Sequence, residues 1–374
     1  MRVFLFISNT GKSISIAERV KQEGHRVLFY INDERYRKIG DGLVDKHKCK
    51  EQLFNENGST FMGVLEKLLY PKPDCVVIDE AVIGLGVVAD VLRERAIPVF
   101  GGGRWADQLM DNKAFQNKMF KVLGIYHRAG MELIDTMNTN ILFTGESVIS
   151  ITHSVRELEL MDGRRGPKAM MGITTWTGNE SSRLYKEGIG KILPLLRKVG
   201  FIGFISLRTQ IEDDMLEGIE INTTLDNSIS PFLEMYKGKV NDLLYGIAAN
   251  AIRKVYFKSN IAIGVVLAIP PYPYNISYNG NVVINGLDKN NLKHFWGYDV
   301  HREKDSYLSS SCGGQIGMVT ARGDEVLNYS PLRDARRRVM RTINNIHVED
   351  QMYRLDIGGR VEGDRDKLKR GGWL

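Results

Sequence analysis

The sequence predicts an α/β protein: a doubly wound parallel unit, then a central antiparallel sheet with helices, then a small antiparallel C-terminal subdomain. Three observations carry that expectation. Over residues 1–103 short apolar runs alternate with amphipathic helical stretches, the pattern of a parallel sheet covered on both faces. At Phe201–Leu207 an apolar strand precedes an alternating one at Leu216–Asn222, which reads as a hairpin. Beyond residue 250, Pro- and Gly-rich turns separate short strands at 260–269, 281–284 and 315–320. The expected divisions are therefore 1–103, 104–250 and 251–374.

Taken in order, Arg2–Ile7 is the first strand, a helix follows over 12–23, and Gly24 stops it. Arg26–Ile31 is the second strand and Asp74–Asp79 the third, with a helix at 61–69 between them. A helix at 89–95 leads to Pro98–Phe100 and Gly101-Gly102-Gly103. One or two amphipathic helices surround Asp111-Asn112-Lys113. Residues 126–140 are polar and weakly periodic, and strands resume near Ile141, 146–151, 156–160 and 170–176. Helices are expected at 182–199, 233–249 and 330–346, and the chain closes in a basic, frayed tail.

Composition narrows the class. Apolar residues make up 43% and charged residues 26%, which suits a globular protein with real cores. No apolar run approaches a membrane span and the N-terminus lacks a signal pattern. Cys49, Cys75 and Cys312 show no metal or disulfide spacing, so a reducing cytoplasm is expected. The net charge of +6 favours an anionic partner such as a phosphorylated metabolite, nucleotide or nucleic acid.

Ligands of doubly wound sheets sit beyond the carboxyl ends of the strands, here Asn9, Thr10, Gly11 and Lys12, then Asp79 and Glu80. Gly11-Lys12-Ser13 is not a P-loop, because the Gly required five residues earlier is Phe6. It remains a loop into a helix, which can hold a phosphate or carboxylate. In the hairpin, Glu220 and Asn222 are two apart and share a face. A carboxylate beside an amide oxygen suits Mg²⁺, and the same spacing also suits a solvated strand face. Arg333, Arg337 and Arg341, with Arg336 and Arg338 beside them, form either a solvated helix face or a phosphate-contacting one.

Several landmarks in order resemble the phosphoribosylamine–glycine ligases of the ATP-grasp superfamily. They are Ser8–Lys12, Pro73–Glu80, Ile97–Gly101 with Ala106–Phe115, Asp162–Gly172, Glu220-x-Asn222, Cys312–Gln315 and Tyr353–Gly358. The resemblance implies a truncated ATP-grasp architecture. It implies Lys113, Lys168 and Glu220 in catalysis and Glu220 with Asn222 on Mg²⁺. It further implies Asn9, Thr10, Gly11, Lys12, Asp79, Glu80, Gly166, Pro167, Gly172, Asp226, Gly313, Gly314, Gln315, Arg354 and Asp356 in substrate binding. Glu220, Asn222, Lys113, Lys168 and Arg354 are expected in one cleft.

The departures are equally specific. The family's glycine-rich lid, which supplies an ATP-binding Lys and the adenine pocket, has no counterpart in the 126–145 interval, so weak ATP binding is expected. The Asn of the family's substrate loop is Lys168, and the Arg of its "GGR" is Gln315. Three functional readings follow. One is a ligase-like enzyme joining an amino acid to an amine. The second is ATP-independent amino-acid transfer onto an activated, phosphorylated acceptor, such as a modified base in viral DNA, which would place the protein in the host cytoplasm. The third is a degenerate ligase that only binds a nucleotide or a partner.

Overall fold

Alternate residues of the first strand, β1 (Val3–Ser8), enter two different cores: Phe4 and Phe6 one, Leu5 and Ile7 the other. Burial on both faces is what a parallel strand requires. The computed structural model describes the chain except residues 128–135, 160–167, 275, 277–280 and 326–328. The N-terminal layer runs β1, α1 (Ile14–Gln22), β2 (Arg26–Ile31), β3 (Asp45–Lys46), α2 (Met62–Leu68), β4 (Cys75–Ile78), α3 (Leu85–Glu94) and β5 (Val99–Phe100). Its five parallel strands lie in the order β3-β2-β1-β4-β5. The α2 and α3 side chains Leu65, Leu68, Leu85 and Leu92 cover one face, and Ile14, Ala17 and Val20 of α1 cover the other.

Two helices, α4 (Arg104–Asp111) and α5 (Lys113–Leu123), connect to the second layer. There β6 (Tyr126–His127), β7 (Met137–Phe143), β8 (Val148–Glu159) and β9 (Lys168–Thr177) precede α6 (Arg183–Glu187) and α7 (Leu193–Lys198). The hairpin is β10 (Gly203–Glu212) with β11 (Met215–Asn222), followed by α8 (Ile229–Met235) and α9 (Val240–Ala248). The remainder is β12 (Ile261–Leu267), β13 (Val283–Ile284), α10 (Lys289–Leu292), β14 (Phe295–Gly297), β15 (Val300–Glu303), β16 (Ser306–Ser309), β17 (Gly317–Arg322), α11 (Pro331–Ile343) and α12 (Val361–Arg370).

Nine of these strands form one sheet in the order β14-β17-β12-β9-β8-β7-β10-β11-β6, antiparallel except for β11 with β6. The fold class is the expected one: a parallel sheet, a larger mixed sheet, and a small antiparallel sheet β13-β16-β15. Between β6 and β7 lie only residues 128–136, and β7 is itself a central strand of the large sheet.

Several local expectations change. Strands β12 and β17, expected in a separate C-terminal subdomain, pair with β9 and with each other inside the large sheet. Gly188, Gly190 and Pro194 break the expected 182–199 helix into shorter turns, because each interrupts regular helical bonding. The expected 233–249 helix divides at Tyr236–Gly238. The tail is a helix, α12, whose Val361 is fully buried, and Trp373 beyond it is buried as well.

Candidate functional site

β1 and β4 are neighbours whose onward connections run to opposite sides of the parallel sheet, β2 one way and β5 the other. Such a switch point leaves a crevice at the carboxyl ends of the strands. Its floor is the Glu80 carboxylate. The backbone N–H groups of Asn9 and Thr10 each donate to Oε2 at 2.8 Å, and Thr10 Oγ1 donates to Oε1 at 2.8 Å. Lys12 Nζ lies 3.3 Å from Oε1. The donors that the sequence assigns to a bound anion therefore hold a carboxylate of the protein itself. Gly11 has φ +85°, a left-handed turn that favours glycine, and its N–H reaches Ser8 Oγ at 2.7 Å. Asp79 is buried, accepts Ser13 N–H at 2.8 Å, and its pKa is pushed up by burial and then by Glu80.

Above this floor is a cavity of about 750 Å³, lined among others by Asn9, Asn32, Asp33, Asn55, Asp111 and Thr224. Its carboxylates and amides suit a ligand rich in N–H or O–H donors.

The second half of the site is one face of the large sheet. Asp213 and Asp214, at φ 48° and 56°, form the two-residue turn of the β10–β11 hairpin. The first strand of the hairpin therefore runs on through the polar residues 208–212. The register sets Ser206 opposite Asn222 and Arg208 opposite Glu220. On the same face lie Asn138 and Asn140 of β7 and Ser154 of β8, all buried.

Every acidic or amide group of the expected metal pair has a protein partner. Glu220 Oε2 is 3.8 Å from Arg208 Nη1. Asn222 Oδ1 accepts Thr224 N–H at 2.9 Å, and its Nδ2 donates to Asp226 at 3.3 Å. Asp226 in turn pairs with Arg156 and accepts Ser228 N–H at 2.8 Å. Glu220 and Asn222 share a face as a metal pair requires, but the arrangement fits a guanidinium-bridged corner better than a hard-cation cage. Among the described residues no group of three or more His, Cys, Asp or Glu is placed to hold a metal.

This corner touches the switch point directly. Leu225 N–H donates to Asp79 O at 2.8 Å, and Ala81 N–H donates to Thr224 Oγ1 at 3.2 Å. Lys113 is exposed at the first position of α5. Its neighbours reach the end of β11: Gln116 Nε2 donates to Ile221 O at 3.1 Å and Thr223 Oγ1 to Ala106 O at 3.5 Å.

Other expected residues lie elsewhere. Gly166 and Pro167 fall outside the described residues, and Lys168 opens β9 without a described side chain. Arg156 and Glu157 are consecutive in β8 and so point to opposite faces. Arg354, 3.6 Å from buried Glu157 and 2.6 Å from Asp356, thus belongs to the face away from Asp226, and the expectation of one cleft with Glu220 is corrected. Gly172 is opposite Glu157, and a Cβ there would lie 2.6 Å from Ile357, so it serves packing. Gly313 and Gly314 belong to a loop held by the buried Asp299, which accepts N–H from Cys312 at 2.9 Å and Gly314 at 3.2 Å. Cys312 Sγ meets Arg35 O at 3.5 Å, which puts the loop beside a residue lining the cavity. Gln315 Nε2 is buried with no acceptor among the described residues. Sequence reasoning missed Arg156, Arg208, Asn32, Asp33, Asn55, Asp111 and Thr224. Only Arg208 carried a local signal, its place in the same hairpin as Glu220.

No family model matches the sequence. Solved structures do. Phosphoribosylamine–glycine ligase from Thermotoga maritima superposes with a TM-score of 0.66 over 95% of this chain and 99% of its own, at 18% identity. N5-carboxyaminoimidazole ribonucleotide synthetase from Thermotoga maritima gives 0.58 over 93% and 99%, at 12% identity. The biotin carboxylase subunit of pyruvate carboxylase gives 0.58 over 100% and 97%, at 12% identity. The chain has the ATP-grasp fold. Within that ATP-grasp fold the polar face with Glu220 and Asn222 meets the N-terminal switch point, and the other face is closed by α12 and the Ile357 segment.

Proposed function

We propose that the protein forms a C–N bond between an amino acid and an amine or activated acceptor, in the cleft between the switch point and the polar face. The observation that carries this is the pair of contacts from Leu225 and Thr224 to Asp79 and Ala81, which sets the Glu220–Asn222–Asp226 corner beside the cavity of about 750 Å³. Asp111 and the neighbouring amides suit the ammonium or hydroxyl groups of a substrate, while Asp33 is already held by Arg35 at 2.6 Å, and Arg156 and Arg208 suit a carboxylate or phosphate. Glu220, whose side chain is 41% exposed and 3.8 Å from Arg208, is the accessible carboxylate that would take a proton from the ammonium. In the ligase reading the neutral amine attacks a carboxyl carbon that ATP has activated as an acyl phosphate, the C–N bond forms, and phosphate leaves with the electron pair of the broken C–O bond.

The arginines favour a second reading in which the acceptor arrives already phosphorylated. The amine nitrogen bonds to the acceptor carbon, the carbon–oxygen bond breaks, and phosphate leaves with the electron pair, stabilised by resident guanidinium groups. A phosphorylated base in DNA fits that acceptor class. The sequence has no counterpart of the family's glycine-rich lid in the 126–145 interval, so in this cleft ATP–Mg²⁺ is expected to bind with a millimolar or weaker constant, about 4 kcal/mol or less.

The test is product detection by mass spectrometry. The protein is mixed with a panel of amino acids and with phosphorylated or amine acceptors, with and without ATP–Mg²⁺. Product that requires ATP selects the ligase reading, and product without it selects transfer. If no amino acid yields product or raises the melting temperature, the proposal fails.

A further inference from the structure

We propose a second ligand site, separate from the cleft, for a compact phosphate-bearing anion of pyrophosphate or nucleotide size. It is a cavity of about 570 Å³ where α1, the end of α8, β14, the end of β17 and α11 meet. That volume is in the range of small-molecule sites. Its lining carries far more positive than negative charge, and the distribution of partners is informative.

Arg337 and Arg338 are matched by Asp334 at 3.1 and 2.8 Å, and Arg338 also by Asp324 at 2.9 Å. Lys258, Lys293, Arg322 and Arg341 also line the cavity and have no carboxylate partner among the described residues. The Nε of Arg322 is buried with no acceptor among the described residues. The two carboxylates present are already engaged. Glu23 accepts the N–H groups of Val240 and Asn241 at 2.8 Å each, and Glu234 faces His294 at 3.2 Å and Thr320 Oγ1 at 2.9 Å. Four unmatched cations around a concavity repel one another and focus a positive potential into it. An anion bound there would relieve that repulsion.

One wall is a buried aromatic ring covered by a fixed guanidinium. Trp296 lines the cavity with the Arg19 guanidinium 4.9 Å above its ring, and Arg19 is fixed by a 3.0 Å bond to Lys293 O. Burial holds Arg19 below the usual arginine range, which is consistent with a dry wall. The cations come from elements far apart in sequence and converge on a bounded hollow. This shape suits a compact anion and not an extended phosphate backbone.

The site is independent of the proposed reaction, since none of its lining residues borders the cleft. The test is isothermal calorimetry with metal-free pyrophosphate, inorganic phosphate, ATP without Mg²⁺, and a 20-base-pair DNA duplex. The proteins are the wild type, Lys293→Ala/Arg341→Ala and Glu220→Gln. Lys293 and Arg341 are exposed, so the double variant is expected to fold normally, and its melting temperature checks this. Pyrophosphate or ATP should bind the wild type saturably with a micromolar constant that weakens with salt. The double variant should lose at least tenfold, and Glu220→Gln should bind as the wild type does. No saturable binding at millimolar ligand, or binding unchanged in the double variant, overturns the site. Duplex binding stronger than pyrophosphate or ATP binding overturns the compact-ligand assignment.

Discussion

The two faces of the large sheet carry the same chemistry in opposite settings. On the closed face Arg354 and Glu157 are 8% and 4% exposed, under the Ile357 segment. On the open face Arg208 and Glu220 are 23% and 41% exposed, and their atoms stand 3.8 Å apart. An ion pair sealed from water is committed to structure, because removing either partner strands a buried charge. A half-open pair gains little from its own attraction and keeps a carboxylate accessible. A guanidinium–carboxylate pair in sequence therefore says nothing of role until its burial is known.

The sharpest way to break the comparison is Arg354→Ala. It should cost about 3–5 kcal/mol in urea unfolding, and a loss below about 1 kcal/mol would put Arg354 outside the structural class. Next is Glu220→Gln, expected to lower turnover about 100-fold, worth about 2.7 kcal/mol, while changing stability by less than about 1 kcal/mol. A large stability loss there would return Glu220 to the structural side.

A buried carboxyl away from both faces gives a pH control. Asp107 accepts Gly86 N–H at 2.7 Å, and burial raises it from 3.8 to about 7. Its folded pKa lies above its unfolded one, so its contribution is full at low pH and is lost as pH rises through that window. Stability should fall by up to about 1.4 kcal/mol per pH unit between those values, and Asp107→Asn should flatten the slope in pH-dependent unfolding. The smallest effect belongs to the surface pair Arg253–Glu146, 3.7 Å apart with both side chains 67% exposed. Arg253→Ala should shift stability by less than about 1 kcal/mol, and added salt should shrink that shift further.

Much of the frame was legible in the residues alone. The β1, β2 and β4 strands, the α4–α5 pair and the hairpin bearing Glu220 and Asn222 are all set by local periodicity and turn residues, which act within a few positions of one another. The tail was misread because α12 is polar on most of its surface and owes its place to Val361 and Trp373 meeting a distant core. The site was legible only as a set of strand ends. That Glu80 consumes the N–H groups of Asn9 and Thr10, that Arg156 reaches Asp226, and that Arg354 lies across the sheet from Glu220 depend on partners many residues apart. Joining β12 and β17 to the large sheet, and gathering the cations around Arg322, likewise required the whole chain to pack. Local periodicity determines which face a residue shares with its near neighbours; what that face meets is decided only by long-range packing.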